Sequence, residues 1–470
     1  MALGQWGLAL AGRLDRRRAR TGVHAVLADH RRYERQIDRL HQRHLFDSGL
    51  HRLTDGEINL ATVVMHRTEV ARLLARTVAA GGYRIRPAVM REIVVEGRRR
   101  TVFEFPLLDL IVHGVVADLL TDLALPRLSP SVYSYRAGTS WMAGVSALAA
   151  YLRRHRRERP DPRTRGLYVL RRDVDAYTDS IPLGAGSAIW SQLDALLAAG
   201  DSARGWLPPT DSDRRLIEEV VRPTVLSDDG APATRLHGVA TGQPIASVCF
   251  NLYLADLDRE LGAVPGGFYA RYSDDLVFCH PDADVARAAS QRLDELMVSL
   301  RLRFNEAKRH DLYLTGAGRA AAQWPEARGT TSLSFLGMLV SHDGTVALGR
   351  RKTRGLLRDA RRRAANTARA VGGQEEDVRG RAVSSVLRRL LDPDDPFLAG
   401  SAAPLLARVV TDRHQLDALD HQLAGIVATA VSGRAGPGAF RSVPYRRIRS
   451  EWGLRSVRRA RDRGGTRRRN

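Results

Sequence analysis

The stretch Phe268-Tyr-Ala-Arg-Tyr-Ser-Asp-Asp-Leu-Val-Phe-Cys279 decides how the chain is read. Alternating apolar and aromatic residues on both sides of a Ser-Asp-Asp step predict two short strands around a tight turn. Two adjacent carboxylates at such a tip cost Coulomb repulsion and desolvation unless a cation compensates. Oxygen-only donors suit Mg²⁺, with Mn²⁺ as the alternative, over zinc. The chain supplies its own controls: Asp228-Asp229 beside Gly230 and Asp394-Asp395 between prolines read as ordinary loops, while Asp274-Asp275 is clasped by strands. A third carboxylate, Asp173, ends the apolar run Leu167 to Leu170, which reads as another strand.

Working outward, residues 8–80 show apolar positions at helical spacing, such as Ile58, Val63, Val64 and Val70. Ile93 to Val95 and Val102 to Phe105 flank Glu96-Gly97-Arg98 and predict a hairpin with a basic tip. Helices are expected over 107–123, 142–152, 183–199, 285–300 and after Gly242, with 201–235 an irregular, proline-containing region. A further hairpin is expected within 333–348. Beyond Gly349 the pattern is helical and basic, and a domain boundary falls there.

Composition bounds the rest. The 470 residues carry 74 Lys+Arg against 52 Asp+Glu, a formal charge of +22, and are 44% hydrophobic, enough for real cores. Twelve arginines against Glu451 and Asp462 follow residue 440. Such an excess points to a polyanion, most simply nucleic acid, whose condensed counterions are released on binding. The lone Cys249 and Cys279 form neither a disulfide framework nor a zinc site and fit a reducing cytosol. No run of about 18 apolar residues exists, and Leu8 to Ala11 leads straight into arginines without a cleavage-site pattern, so neither a membrane span nor a signal peptide is expected.

In order along the chain these segments resemble a reverse transcriptase over about residues 81 to 345. Asp173-Val-Asp-Ala-Tyr-Thr-Asp-Ser-Ile181 resembles the first metal motif, and Tyr272-Ser273-Asp274-Asp275 the Tyr-x-Asp-Asp box. Gly238-Val-Ala-Thr-Gly-Gln-Pro-Ile-Ala-Ser-Val-Cys-Phe-Asn-Leu-Tyr-Leu254 resembles the loop and helix that support template and incoming nucleotide. Asn305-Glu-Ala-Lys308 resembles the lysine motif, and Phe335-Leu336-Gly337 the primer-grip hairpin. Tyr135-Arg-Ala-Gly-Thr-Ser140 looks like the fingers segment of group II intron and retron-type enzymes. With no nuclease pattern after residue 349, the whole is most like the defence-associated "unknown group" antiviral reverse transcriptases.

The resemblance implies an α+β right-hand polymerase. It has a helical N-terminal segment (1–80), fingers and a palm with an antiparallel sheet (81–345), and a basic helical thumb with an arginine-rich tail (346–470). It implies two Mg²⁺ ions on Asp173, the Val174 carbonyl, Asp274 and Asp275, with Lys308 as general acid toward pyrophosphate. It places the nucleotide on Arg99, Arg100, Arg136, Tyr177, Thr178, Gly242 and Gln243, and nucleic acid on Asn251, Tyr272, Phe335, Leu336, Gly337 and Lys352. Implied partners are an RNA template, a DNA product, dNTPs, a dedicated non-coding RNA and an accessory protein, in the cytoplasm and in antiphage defence. Lys308 stands out independently: the chain has 72 arginines and two lysines, and only lysine can release a proton near neutrality.

Two departures matter. Ala240-Thr241-Gly242 stands where many relatives read Pro-Gln-Gly, with Gln243 beyond the glycine. Thr178 stands where an aromatic gate against ribose is common, which keeps an untemplated or ribonucleotide-using transferase open. A catalytically silent, maturase-like RNA-binding protein is the other alternative.

Overall fold

The computed structural model describes residues 22–45, 53–95, 98–198, 206–226, 230–392 and 403–459, without the side chains of 95, 98–100 and 403. The 8–11 run, the two control Asp pairs, the 96–97 turn and the tail from 460 therefore lie outside the described residues, as do the side chains of Arg99 and Arg100.

A five-stranded sheet organises the molecule. Its order is Arg328–Thr330, His310–Leu314, Leu167–Asp173, Asp275–His280 and Phe268–Tyr272, antiparallel except for the first pair. Leu167–Asp173 sits at the centre, and its side chains alternate between two covered faces. Tyr168 and Leu170 join a core that includes Leu276, Phe278, the Leu107–Ala124 and Ala283–Ser299 helices and the N-terminal helices His30–His44 and Arg67–Ala79. Leu167 and Val169 join Val277 and Cys279 in a second core, against the Trp141–Glu158 helix and the C-terminal helices Arg350–Ala370, Glu376–Leu390 and Arg413–Ser432. Burial on both faces is why this strand reads as a continuous apolar run.

A four-stranded sheet is built on the expected hairpin: Arg98–Glu104, Ala88–Val95, Thr224–Leu226 and Pro232–Thr234. The last two strands come from the region expected to be irregular, which also holds the Asp211–Val221 helix. Thr210 and Asp213 form a capping box at its start. The Thr-x-x-Asp signal was there to be read, but the flanking prolines masked it.

A three-stranded sheet, Ser332–Phe335, Met338–Ser341 and Val346–Leu348, turns at Leu336-Gly337 and again at 342–345. The Arg350–Ala370 helix starts directly after it. Leu356, Leu357, Ala360 and Ala364 make its buried stripe, and Arg350, Arg354, Arg358 and Arg361 are exposed. The described tail arginines are partly spent on holding the chain end. Arg447 pairs with Glu376 and Asp377, Arg449 with Asp420 and Arg458 with Asp417. Trp452 lies over Gly380, where an added Cβ would come within 2.2 Å of the ring.

Candidate active site

Strand register assembles the acidic cluster. Asp173 is the direct partner of Asp275 across neighbouring strands, and Tyr272 pairs with Asp275, leaving Ser273 and Asp274 as a two-residue turn. Ser273 takes φ +58, a left-handed value that a non-glycine residue adopts at a cost of about 1–3 kcal/mol unless its surroundings hold it. What holds it is Arg271. This fully buried guanidinium donates from Nη1 to the Ser273 carbonyl at 2.9 Å, and from Nε and Nη2 to Asp258 at 2.7 and 2.6 Å. Tyr269 donates to Asp258 at 2.8 Å. On the other side the Asp274 carbonyl accepts from Val174 N at 3.0 Å, tying the turn to the end of the central strand.

Arg271 and Asp258 were missed from sequence, although an arginine in the middle of the apolar strand Phe-Tyr-Ala-Arg-Tyr was a readable sign of a buried charge needing a partner. The segment before Arg136 docks on the same strand: Tyr133 N donates to the Arg271 carbonyl at 2.9 Å, and Tyr135 lies 6.3 Å from the half-buried Tyr272 ring.

The carboxylates crowd one another. Burial, and then the charge of Asp173, push the Asp274 carboxyl up from its ordinary value. Burial, with the Asp274 and Asp173 charges, pushes Asp275 up to about 6 despite the opposing charge of Arg171. Arg171 Nε stands 3.6 Å from Asp275 Oδ1, too far for a hydrogen bond, and that oxygen is buried without a partner. Lys308, in the 3₁₀ turn Glu306–Lys308, reaches Asp173 with Nζ 2.7 and 2.9 Å from its two oxygens. It is half exposed while Asp173 is nearly buried.

Two features fit a divalent cation: an all-oxygen donor set with an orphaned buried carboxylate oxygen, and mutual repulsion that a cation would relieve. A third feature opposes it as the side chains stand, since Lys308 already neutralises Asp173. Among the described residues no three His, Cys, Asp or Glu side chains converge to hold an ion.

The other expected positions divide. Thr178 is half-buried, its carbonyl accepting from Val239 N at 2.9 Å, and Gly242, at φ +100, lies in a loop joined to the Arg98–Glu104 strand by Thr241 Oγ donating to the Thr101 carbonyl. Leu336 and Gly337 form a left-handed tip, at φ +52 and +74, above a buried Phe335.

Five further expected positions have partners within the chain or lie in its core. Tyr177 is a core residue, donating to the Phe250 carbonyl at 2.7 Å, and burial raises its pKa further. Asn251 is buried, with Nδ2 donating to the Ser134 carbonyl and Oδ1 accepting from Ser134 Oγ. Gln243 is buried with both amide atoms unpartnered. Arg136 donates to the Ser129 carbonyl at 3.0 Å. Lys352 sits 3.8 Å from the centre of the Trp141 ring, where burial takes its ammonium down to about 8. Tyr177, Asn251 and Gln243 are buried, whereas Arg136 and Lys352 stay half-exposed.

No family model matches the chain, and no curated protein matches it. Among solved structures, the chain is similar to apo telomerase from Candida tropicalis, at 11% identity and a TM-score of 0.44, covering 80% of this chain and 63% of that one. A truncated form of that telomerase, lacking its C-terminal domain, gives 12% identity and a TM-score of 0.42, covering 56% of this chain and 55% of that one. Telomerase from Candida albicans, in complex with a TWJ fragment of telomeric RNA, gives 10% identity and a TM-score of 0.42, covering 82% and 67%. The chain thus spans between about half and two thirds of these proteins. Among the described residues no helix is long and apolar enough to cross a membrane.

Proposed function

We propose that the chain is a template-directed nucleic-acid polymerase of reverse-transcriptase type. The four-stranded sheet would act as fingers, the five-stranded sheet as palm and the C-terminal helices as thumb. One observation carries the reading: Asp173 and Asp275 pair across neighbouring strands with Asp274 in the turn beside them, so three carboxylates from distant segments crowd one end of a sheet. Folding gains nothing from that crowding.

Asp173, Asp274 and Asp275, with the Val174 carbonyl, would hold two Mg²⁺ or Mn²⁺ once Lys308 releases Asp173. Bound there, such ions would activate a primer 3′-hydroxyl and stabilise the leaving pyrophosphate. The chain's own groups do the rest. Arg271 fixes the turn. Lys308, freed from Asp173, carries a proton at Nζ beside the site where pyrophosphate would leave. The Leu336-Gly337 tip and the exposed Arg354, Arg358 and Arg361 would steady a template-primer duplex.

An RNA template, a DNA product and dNTPs follow from the resemblance, as does a setting in antiphage defence with a non-coding RNA and an accessory protein. The test is incorporation of each labelled dNTP and NTP by purified protein, beside Asp274→Asn, on primed and unprimed template. Synthesis that the substitution abolishes supports the reading, and synthesis at equal rate in Asp274→Asn refutes it.

Two observations favour other readings. The Lys308–Asp173 pair, and carboxylates that crowd without converging on an ion site among the described residues, suit a catalytically silent RNA-binding protein, which would bind RNA but incorporate nothing. Thr178, with Tyr177 turned into the core, suits ribonucleotide use, which the NTP arm would show.

A further inference from the structure

The Trp141–Glu158 helix runs alongside both hairpins. Its first residue lies against Lys352, which abuts Gly337 at the tip of the three-stranded sheet. Further along, Tyr151 donates to the Gly266 carbonyl at 3.0 Å and Arg153 to the Gly344 carbonyl at 2.8 Å. Gly266 and Gly344 lie at the opposite ends of their hairpins from the Asp274 turn and the Leu336-Gly337 tip. At about 3.3 Å per residue, the Phe268–Tyr272 strand alone puts about 13 Å between this end and the acidic turn.

Here the chain concentrates positive charge: Arg153, Arg154, Arg156 and Arg157, then Arg159, Arg163 and Arg165, against Glu158 and Asp161. The helix expected over 142–152 runs on to Glu158 and carries the first of these arginines. A cavity of about 400 Å³ lined by Arg154, Arg159, Gly266 and Glu158, which pairs with Arg154, lies on one flank, and one of about 360 Å³ between Arg153, Arg156, Arg157 and Asp343 on the other. Arg156 and Arg157 are exposed, and neither comes within ion-pair distance of a described acid, while, against the effect of burial, the Arg156 charge helps hold the Asp343 carboxyl below its ordinary value. The described tail arginines Arg447, Arg449 and Arg458, by contrast, are paired with acids.

A helix C-terminus favours a cation or two through its dipole but does not account for so many like charges on neighbouring turns, which repel. An opposing polyanion does. Tyr151, Leu152 and His155 are buried, so this end offers no apolar side chain to insert into a bilayer and no ring on which unpaired bases could stack. The helix end is tied down at Gly266 and Gly344, and guanidinium groups line the cavities on its two flanks. Cations on two flanks of one helix end suit the two phosphate strands that border the wide, shallow minor groove of A-form RNA, with no element shown to enter the deep major groove of B-DNA.

We propose that this end of the Trp141–Glu158 helix is a nucleic-acid docking surface, remote from the acidic turn, that takes the two phosphate backbones of a double-helical RNA. It does not rest on the polymerase reading, because binding there needs no chemistry.

The test uses the full chain and a fluorescent RNA stem-loop, with anisotropy read across a salt series. A DNA duplex of the same sequence and phosphatidylserine vesicles are run beside it. Arg156→Ala/Arg157→Ala, with an unchanged melting temperature, is expected to lower the salt slope by about 2. It is expected to weaken RNA binding about thirtyfold at 0.15 M salt, the counterion-release term for two phosphates referred to 1 M. An RNA affinity and slope equal to wild type overturn the proposal. So does an equal loss on the DNA duplex, or vesicle binding that the substitution abolishes while RNA binding persists. Repeating the titration in Asp274→Asn keeps the two readings apart, since a failed polymerase leaves this binding intact.

Discussion

Replacing both members of the buried Asp258–Arg271 pair separates folding from positioning. Asp258→Ala alone strands a fully buried guanidinium, which costs about 3–5 kcal/mol. Asp258→Leu with Arg271→Met removes both charges, an exchange that is commonly neutral or stabilising by about 1–4 kcal/mol. The double variant also deletes the 2.9 Å hydrogen bond that holds the Ser273 carbonyl. A charged donor to that carbonyl is worth about 1.5–3 kcal/mol, close to the cost of keeping Ser273 at φ +58. Without it the turn relaxes, and at about 1.4 kcal/mol per tenfold in rate, incorporation should fall about ten- to hundredfold. The assay pairs thermal melting with nucleotide incorporation well below the melting point. The single variant should melt low, and the double variant should recover melting but not incorporation. A double variant with normal melting and normal incorporation would show that Arg271 only fills space.

Three further outcomes follow from the geometry. Lys308→Arg keeps a cation beside Asp173 but puts a guanidinium, which does not give up its proton, in place of the proposed general acid, so incorporation should drop about a hundredfold with RNA binding unchanged, whereas full activity would show that ion pairing suffices. Asp275 has a native pKa of about 6 against an ordinary 3.8, so the metal-free native state binds its proton more tightly than the unfolded chain does. Its contribution is fully present below about pH 4 and is lost by about pH 6, leaving the ionised carboxylate costing about 3 kcal/mol at neutrality. In chelator, Asp275→Asn should therefore melt higher than wild type at pH 7 but not at pH 4, and equal melting at both would contradict the crowding account. Gly380→Ala drives a Cβ into the Trp452 ring, so about 1–3 kcal/mol of stability should go, read as lower melting and faster proteolysis of the C-terminal segment.

The sequence by itself determined what is local. Apolar residues on either side of Ser-Asp-Asp specify a hairpin because its two strands pair through a two-residue turn, and Phe268–Tyr272 and Asp275–His280 fall where alternation puts them. The double-sided burial of Leu167–Asp173 was legible as an apolar run, and the rarity of lysine singled out Lys308 before its contact with Asp173 was known. Only the tertiary structure decided which distant strands neighbour one another, and with them that Asp173 faces Asp275. It alone turned Tyr177, Asn251 and Gln243 into the core, spent Lys352 on Trp141, gave Arg271 its partner on another element and left Arg156 and Arg157 exposed beside Asp343. A turn is closed by residues adjacent in the chain, whereas the direction of a side chain and the partner of a buried charge depend on segments brought together only when the two cores close over the sheet.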